Sequence, residues 1–242
     1  MRVVSWNIQH LELYDRTDSL EIALKKTLDQ QQPDVLLLQE VDVNKSRTGH
    51  VDQTEVFSKA LKAVASRFKS TKLKPVDDGQ YGLAIVSQLP VKSWHELDLF
   101  PSPIGRRLTF KFGDTEETFY VHDHPRAALA VILENGWCVV NTHLSFVPVS
   151  SHLQMLRVVM WAKKLAKQNN CKLIIGGDLN FSRVKWLGKF GLFDSVNGLT
   201  FPAWEPETQI DHLLVQDLSE VTKSQIGDQS AISDHLWIAV DL

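Results

Sequence analysis

A set of polar residues in this sequence lies in or just beyond strongly apolar, strand-like segments. Its members are Asn7, Glu40, His143, Asp178, Asn180, Asp211, Asp234 and His235. A buried carboxylate is costly unless it is paired or binds a metal. Carboxylate and amide oxygens from several strand ends are the ligands that a hard cation such as Mg²⁺ or Mn²⁺ prefers. The pattern therefore indicates an oxygen-lined site for a divalent cation.

The stretch over residues 173–181 carries the clearest chemistry. An apolar run ends in two glycines, and Asp178 and Asn180 follow. Side chains two positions apart in an extended chain point the same way, so both would face one spot. A carboxylate that polarises water, beside an amide that holds an oxyanion, suits a hydrolytic centre. A strand that stops in an Asx turn explains the same residues, and this stretch alone does not decide between the two interpretations.

Length and composition are those of an ordinary globular chain. The 242 residues are 43% hydrophobic and 23% charged, which predicts one domain over residues 1–242. The net charge of −3 gives no global signature of nucleic-acid binding. Cys138 and Cys171 are expected to be buried free thiols. Because the sequence lacks a signal-peptide pattern and an apolar span of 18 residues, we expect a cytoplasmic protein that does not bind membranes.

The pattern of apolar residues predicts many strands and three well-separated helices. Capping boxes open the first two helices, at Asp18-x-x-Glu21 and Asp52-x-x-Glu55. The third helix is predicted over residues 151–167, with Leu153, Leu156, Met160 and Leu165 on its apolar face. Hairpins are predicted at Leu89-Pro90 and at Asn135-Gly136. Two packed sheets with helices outside, a layered α/β sandwich, fit this order.

Six short motifs occur together in one order along the chain. They are Trp6-Asn7-Ile8, Leu38-Gln39-Glu40-Val41, Thr142-His143-Leu144, Gly177-Asp178-Leu179-Asn180, Ile210-Asp211-His212 and Ser233-Asp234-His235. With these motifs the chain resembles the endonuclease/exonuclease/phosphatase superfamily from Val3 to its end, in its deoxyribonuclease I-like branches. The resemblance implies a four-layered α/β sandwich, with two mainly antiparallel sheets packed face to face and helices outside. It also implies hydrolysis of a phosphoester that depends on Mg²⁺ or Mn²⁺.

The resemblance implies a role for each residue on the metal side of the site. Glu40 resembles the principal metal ligand. Asn7 and Asp234 resemble further ligands, or residues that contact water bound to the metal.

On the other side of the site, the resemblance implies roles in water activation and phosphate binding. Asp178 resembles the residue that orients or deprotonates the attacking water, and Asn180 its phosphate-contacting neighbour. His143 and His235 resemble the pair that binds the phosphoryl oxygens and handles protons, with Asp211 supporting His235. The general base is Asp178 or His235.

Two arginines are candidates for contact with the substrate phosphate. Arg126 opens a strand after Pro125 and resembles a family arginine, although a surface arginine at a strand start explains it equally well. Arg107 belongs to a second candidate phosphate clamp, Arg106-Arg107.

The sequence leaves the substrate open. Residues 59–74 contain six basic residues and no acidic one, which indicates either a nucleic-acid contact or a solvated helix face and edge strand. Trp204 is a candidate for stacking at the pocket mouth, and packing in the core or at the rim is its alternative. We expect a monomer and a phosphoester substrate, and our first hypothesis is a phosphodiesterase or nuclease. The alternatives are a hydrolase for lipid headgroups or inositol phosphates, and a catalytically idle member that binds RNA or protein.

Overall fold

The computed structural model describes residues 1–12, 19–71, 78–112, 115–228 and 232–242. Its α-helices are α1 (Leu20–Gln31), α2 (Gln53–Ala60) and α3 (Pro148–Asn169). Its strands, in chain order, are β1 (Arg2–Asn7), β2 (Val35–Val43), β3 (Ala65–Ser70), β4 (Gln80–Ser87), β5 (Val91–Leu99), β6 (Arg106–Phe112), β7 (Thr115–Val121), β8 (Arg126–Leu133), β9 (Trp137–His143), β10 (Lys172–Asp178), β11 (Phe193–Asp194), β12 (Asp211–Val215), β13 (Lys223–Ile226) and β14 (Ile238–Asp241).

The strands form two six-stranded sheets and one separate hairpin, β6–β7. The first sheet has the order β13-β14-β1-β2-β4-β3, and the second has the order β11-β12-β10-β9-β8-β5. Each sheet contains one parallel pair, β1–β2 or β9–β10, and all its other pairs are antiparallel. Parallel strands need a crossover, which α1 and α3 supply. The prediction of two mainly antiparallel sheets is confirmed.

Three apolar layers hold the sandwich together. Alternation along each strand sends one set of side chains between the sheets, for example Leu37, Val139 and Ile174. The opposite set packs against helices: α1 and α2 cover the first sheet, and α3 covers the second. The order helix, sheet, sheet, helix is the predicted four-layered α/β sandwich.

All three predicted helices are present, but only one of the two predicted N-caps is confirmed. Asp52 caps α2 by accepting a hydrogen bond from the Glu55 amide at 3.1 Å, as predicted. The N-cap of α1 is Ser19, whose hydroxyl accepts from the Ile22 amide, whereas Asp18 lies outside the described residues.

The apolar face predicted for α3 was only partly right: Leu165 is buried as expected and Leu156 is half-buried. Leu153 and Met160 are 62% and 70% exposed, and the buried face instead carries Met155, Val158 and Ala162. The helix has apolar residues on more than one side, so the position of the sheet, not the sequence period, decides which side is buried.

One of the two predicted hairpins was also wrong. Asn135-Gly136 joins the paired strands β8 and β9, as expected. Leu89-Pro90 instead carries the chain from β4 in the first sheet to β5 in the second, so this turn links the two layers.

Two expectations from composition can also be compared with the structure. Both cysteines are free thiols; Cys138 is buried and Cys171 is half-buried. Burial raises the pKa of Cys138 to about 12. Among the described helices, none combines the length and the apolar character that a membrane crossing requires.

Candidate active site

The sheet topology brings the polar strand-end residues to one edge of the sandwich. Asn7, His143 and Asp178 are the last residues of β1, β9 and β10. In an antiparallel neighbour the first residue lies at that same edge, and Asp211 at the start of β12 is in register with Asp178. His143 is the partner of Asp178 on the other side. A hydrogen bond of 3.1 Å from Asn7 Nδ2 to Asp178 Oδ2 joins the edges of the two sheets.

Asp178 lies at the centre of this edge and is only 2% exposed. Its Oδ1 accepts a hydrogen bond from the Asn180 amide at 2.9 Å, and its Oδ2 lies 3.5 Å from His143 Nε2. The preceding Gly177 has a φ of +139°, and a Cβ there would lie 1.8 Å from the Thr142 carbonyl oxygen, so only glycine fits. Burial, opposed by the nearby His235, raises the pKa of Asp178 to about 7. Asp178 can therefore gain or lose a proton near neutral pH.

Glu40 is presented by a β-bulge in β2. Between Leu38 and Val41 the pairing with β4 shifts by one residue, and Glu40 itself has a φ of +59°. A bulge turns a side chain out of the regular alternation and is common next to active sites. Glu40 Oε1 accepts a hydrogen bond from Asn7 Nδ2 at 3.2 Å, and the residue remains partly exposed. This carboxylate therefore belongs to the site yet stays accessible to a ligand.

Asn7 connects the two carboxylates through its amide nitrogen. Asn7 Oδ1 accepts from the Gln9 amide at 3.1 Å, which leaves Nδ2 to donate to Glu40 and Asp178. A carboxylate cannot donate, so this orientation serves both carboxylates. Direct metal ligation by Asn7 would require its amide to turn over, and that role stays a prediction.

His235 and Asp211 form a buried pair, with His235 Nδ1 2.9 Å from Asp211 Oδ2. Ser233 Oγ accepts from the His235 amide and donates to the Asn7 carbonyl at 2.6 Å, which ties this loop to β1. Burial by itself would lower the pKa of His235, but the negative charges of Asp211 and Asp178 outweigh burial and raise this pKa to about 10. His235 is therefore protonated at neutral pH.

His143 has the opposite behaviour. Burial, together with the positive charge of Arg126, moves the pKa of His143 well below its ordinary value. The site therefore contains one charged and one neutral imidazole at neutral pH.

The donor set of this edge fits a divalent cation. One side-chain atom each from Asp178, Asp211 and His235 lies within 4.8 Å of the other two, but the protonated His235 has no lone pair for a metal, so the carboxylates are the candidate ligands. Asp211 Oδ1 and Asp234 Oδ1 are buried without a hydrogen-bond partner. Burial, together with Glu40, raises the pKa of Asp234 to about 6. Buried carboxylate oxygens without donors are what a hard cation would complete.

Arg126 is held at the same edge, at the start of β8. Asp123 Oδ1 accepts from Arg126 Nη2 at 3.1 Å, and the two side chains are 0% and 2% exposed. The guanidinium lies 5.7 Å from the ring centre of Phe146. Its Nη1 atom is buried and has no hydrogen-bond partner. The sequence did not predict this pairing, because nothing local indicates that a loop carboxylate will meet a strand-start arginine.

Arg107 is not brought to the site by any described hydrogen bond or ion pair. It is exposed on the β6–β7 hairpin, in register with Tyr120. The neighbouring Arg106 extends towards the site instead, and its Nη1 donates to the Phe146 carbonyl at 3.3 Å.

A cavity of about 530 Å³ opens beside Glu40. Its lining includes Lys45, Arg47, Asp78, Tyr81 and His124, none of which the sequence indicated as site residues. They come from three separate segments, so only the fold brings them together. The cavity carries charges of both signs.

The basic stretch over residues 59–74 is partly neutralised. Lys69 Nζ lies 2.7 Å from Asp98 and 3.4 Å from Glu96, and Arg67 also pairs with Glu96. These contacts favour the edge-strand interpretation over a nucleic-acid contact for this part of the stretch. Residues 72 and 74 lie outside the described residues.

Trp204 lies next to the site. It is 66% exposed, and the preceding Ala203 amide donates to the Asp234 carbonyl at 2.7 Å. Packing in the core is therefore excluded for Trp204, which leaves stacking at the pocket mouth or packing at the rim.

The fold is a four-layered α/β sandwich with an acidic edge, and comparison with known proteins gives the family. The model of the Endonuclease/Exonuclease/phosphatase family matches residues 4–235. The chain belongs to this family, whose members hydrolyse phosphoesters, and the resemblance inferred from the motifs is confirmed. No curated protein sequence matches the chain significantly.

Solved structures share the fold at low sequence identity. An endonuclease/exonuclease/phosphatase from Beutenbergia cavernae is 19% identical with a TM-score of 0.67, over 99% of this chain and 70% of that one. A mannosyl-6-phosphatase from Bacteroides thetaiotaomicron is 15% identical with a TM-score of 0.67, over 100% and 98%. A 3′ phosphatase from Neisseria, bound to a product DNA hairpin, is 14% identical with a TM-score of 0.65, over 100% and 99%. These similarities establish the fold and leave the substrate open.

Proposed function

We propose that this chain is a divalent-metal-dependent phosphoester hydrolase, and specifically a phosphodiesterase that acts on nucleic acid or a nucleotide-like compound. The observation that carries the proposal is the convergence of Glu40, Asp178 and the Asp211–His235 pair at one edge of the sandwich. Buried carboxylates cluster in this way when a cation or a protonated partner balances them.

Glu40 and Asp234 would hold the cation, with Mg²⁺ or Mn²⁺ suiting their oxygen donors. When bound, such a cation neutralises charge on the phosphate and lowers the pKa of a coordinated water. Asn7 keeps Glu40 and Asp178 at a fixed separation, because one amide group donates to both.

Asp178 is our candidate for the general base. Its pKa of about 7 lies near the operating pH, where a base is most effective. His235 is protonated at the same pH because Asp211 holds it so, and it can donate a hydrogen bond to a phosphoryl oxygen. The arrangement thus favours Asp178 as the base and His235 as the oxyanion donor.

Arg126 would contact the substrate phosphate. Asp123 and Phe146 hold its guanidinium, and the spare Nη1 donor has no partner within the described protein. Guanidinium groups are well suited to phosphate oxygens. Arg107 is exposed on the hairpin, so its part in phosphate binding is the weaker proposal.

A phosphatase for a small polar phosphomonoester is the second candidate, and the cavity beside Glu40 favours it. The cavity has room for a sugar-sized group, and its charges of both signs suit hydroxyl groups. The pairing of Lys69 with carboxylates removes part of the argument for a long nucleic acid. A mannosyl-6-phosphatase and a DNA-bound 3′ phosphatase share the fold, so it accommodates substrates of both sizes.

The test is hydrolysis of a substrate panel with Mg²⁺, Mn²⁺ or EDTA. The panel holds DNA, RNA, bis-p-nitrophenyl phosphate, sugar phosphates, inositol phosphates and sphingomyelin, and Asp178→Asn is the control. We expect turnover that EDTA abolishes and the variant loses. Turnover of DNA, RNA or bis-p-nitrophenyl phosphate supports the first candidate, and turnover of sugar or inositol phosphates alone supports the second. Silence across the panel without binding of Mn²⁺ would favour an idle binding protein and overturn the proposal.

A further inference from the structure

We infer that Asn141 and Gln39 form an amide pair between the two sheets that positions Glu40 for its ligand. This inference rests on the proposed function. Both side chains are fully buried, and Gln39 Nε2 donates to Asn141 Oδ1 at 2.7 Å. Gln39 immediately precedes Glu40, and Asn141 lies two residues before His143. The pair therefore lies directly beneath the site and joins β2, which carries Glu40, to β9, which carries His143.

The hydrogen bonds fix the orientation of both amides. Asn141 Nδ2 donates to the Leu38 carbonyl at 2.8 Å and to the Ala84 carbonyl at 2.9 Å, which uses both of its hydrogens. Asn141 Oδ1 must then accept, and Gln39 Nε2 is the donor that meets it. Gln39 Nε2 also donates to Ser5 Oγ at 3.1 Å. Turning either amide over would place two donors or two acceptors against each other, so these contacts admit one orientation of each amide, and in that orientation Gln39 Oε1 is buried without a hydrogen-bond partner.

The two carbonyls that Asn141 satisfies mark the point where regular pairing stops. Leu38 and Ala84 are the last partners before the register shift that creates the bulge. Glu40 lies within this bulge with a φ of +59°, a conformation that residues other than glycine rarely adopt. A buried carbonyl that loses its donor tends to rearrange until it finds another. The amide pair thus keeps β2 in the bulged register that points Glu40 into the site.

A role in stability alone is the competing explanation, so the test needs a variant that loses stability without touching the bulge. Asn141→Leu removes both donors while keeping the number and branching of the side-chain heavy atoms. Val139→Ala is the matched control, because Val139 lies on the same face of β9, one step further from the site, within the apolar layer between the sheets. Gln39→Met leaves the donation from Asn141 to the carbonyls intact and serves if Asn141→Leu fails to fold.

Hydrogen exchange of the metal-free protein and calorimetric titration with Mn²⁺ give the two readouts. In Asn141→Leu we expect faster exchange of amides 38–43 and a Mn²⁺ Kd raised by about 10- to 100-fold, as for other residues that orient a ligand. Gln39→Met should shift both readouts in the same direction by less. Val139→Ala should lower the melting temperature while leaving both readouts near wild type.

Equal exchange and equal Mn²⁺ affinity in Asn141→Leu, Gln39→Met and Val139→Ala would overturn the inference. If the wild-type protein neither binds Mn²⁺ nor hydrolyses any ester, the proposed function fails. Exchange at residues 38–43 still decides in that case whether the amide pair holds the bulge.

Discussion

The two sheets of this protein have the same strand arrangement but carry carboxylates in different environments at the edge of the sandwich that holds the site. Each has a central parallel pair joined through a helix and flanked by antiparallel strands. In the first sheet the edge carries Glu40, partly exposed on a bulge beside a cavity lined by charges of both signs. In the second sheet it carries Asp178, almost wholly buried between His143 and Asp211.

The difference shows how one topology can give two carboxylates different chemistry. Burial raises the pKa of Asp178 to about 7, which suits the transfer of a proton. Glu40 keeps contact with solvent and a cavity, which suits the binding of an ion that must enter and leave. We therefore expect the first sheet to hold the cation and the second to handle the proton.

Asp178→Asn should give the largest effect of a single substitution. Without a base at this position, kcat/KM should fall by about 10³-fold, within the usual range for general-base catalysis. Mn²⁺ affinity should change much less, because the first sheet retains its ligands. Steady-state kinetics and calorimetry on the same preparation measure both effects. A large loss of Mn²⁺ binding, with activity recovered at high Mn²⁺, would reverse the division between the sheets.

Glu40→Gln should act mainly on the cation. Removal of a ligand should weaken Mn²⁺ binding by at least about tenfold, and high Mn²⁺ should restore part of the activity. Glu96→Gln is the matched control, since it makes the same change at a residue whose partners are Arg67 and Lys69. Activity of Glu40→Gln that is equally low at every Mn²⁺ concentration would contradict a ligand role.

Asp123→Asn should remove the charge that balances Arg126 and so reduce stability. Breaking such a buried pair typically costs about 3 kcal/mol of unfolding free energy, and substrate KM should rise as Arg126 loses its position. Burial opposes ionisation of Asp123, but the Ser102 amide and Arg126 outweigh it and hold its pKa below the ordinary value of 3.8.

The pH dependence of that loss follows from the lowered pKa. A carboxylate with a depressed folded-state pKa contributes stability above its unfolded value, and this contribution disappears as pH falls through the folded value. Urea denaturation should therefore show a gap between wild type and Asp123→Asn at pH 7 that narrows below pH 3.8. A gap that stays constant down to pH 2 would mean that the ion pair does not stabilise the fold.

Lys69→Met should have the smallest effect. Lys69 is already paired with Glu96 and Asp98, and these carboxylates neutralise its positive charge. It therefore adds little attraction for a phosphate backbone. Activity on the best substrate and its dependence on salt should match wild type. A salt dependence that becomes clearly shallower would restore the nucleic-acid interpretation of this stretch.

Much of the fold could be predicted from local pattern. The hairpin predicted at Asn135-Gly136 joins β8 and β9, and Asp52 caps α2 as expected. The signals concerned were local: apolar runs, turn residues and capping side chains act within a few residues. The face of α3 and the path after Leu89-Pro90 depended on which sheet lies nearby, and no local pattern records that.

The sequence by itself determined which residues could do chemistry. Asn7, Glu40, Asp178, Asp211 and His235 attract attention because polar groups rarely follow such apolar runs, and strand ends at one edge must meet.

Only the tertiary structure decided what state those residues are in. Burial and distant partners set the protonation of Asp178 and His235, and a one-residue bulge sets the direction of Glu40. A pKa depends on the solvent excluded and the charges nearby, and both are fixed by segments far apart in the chain.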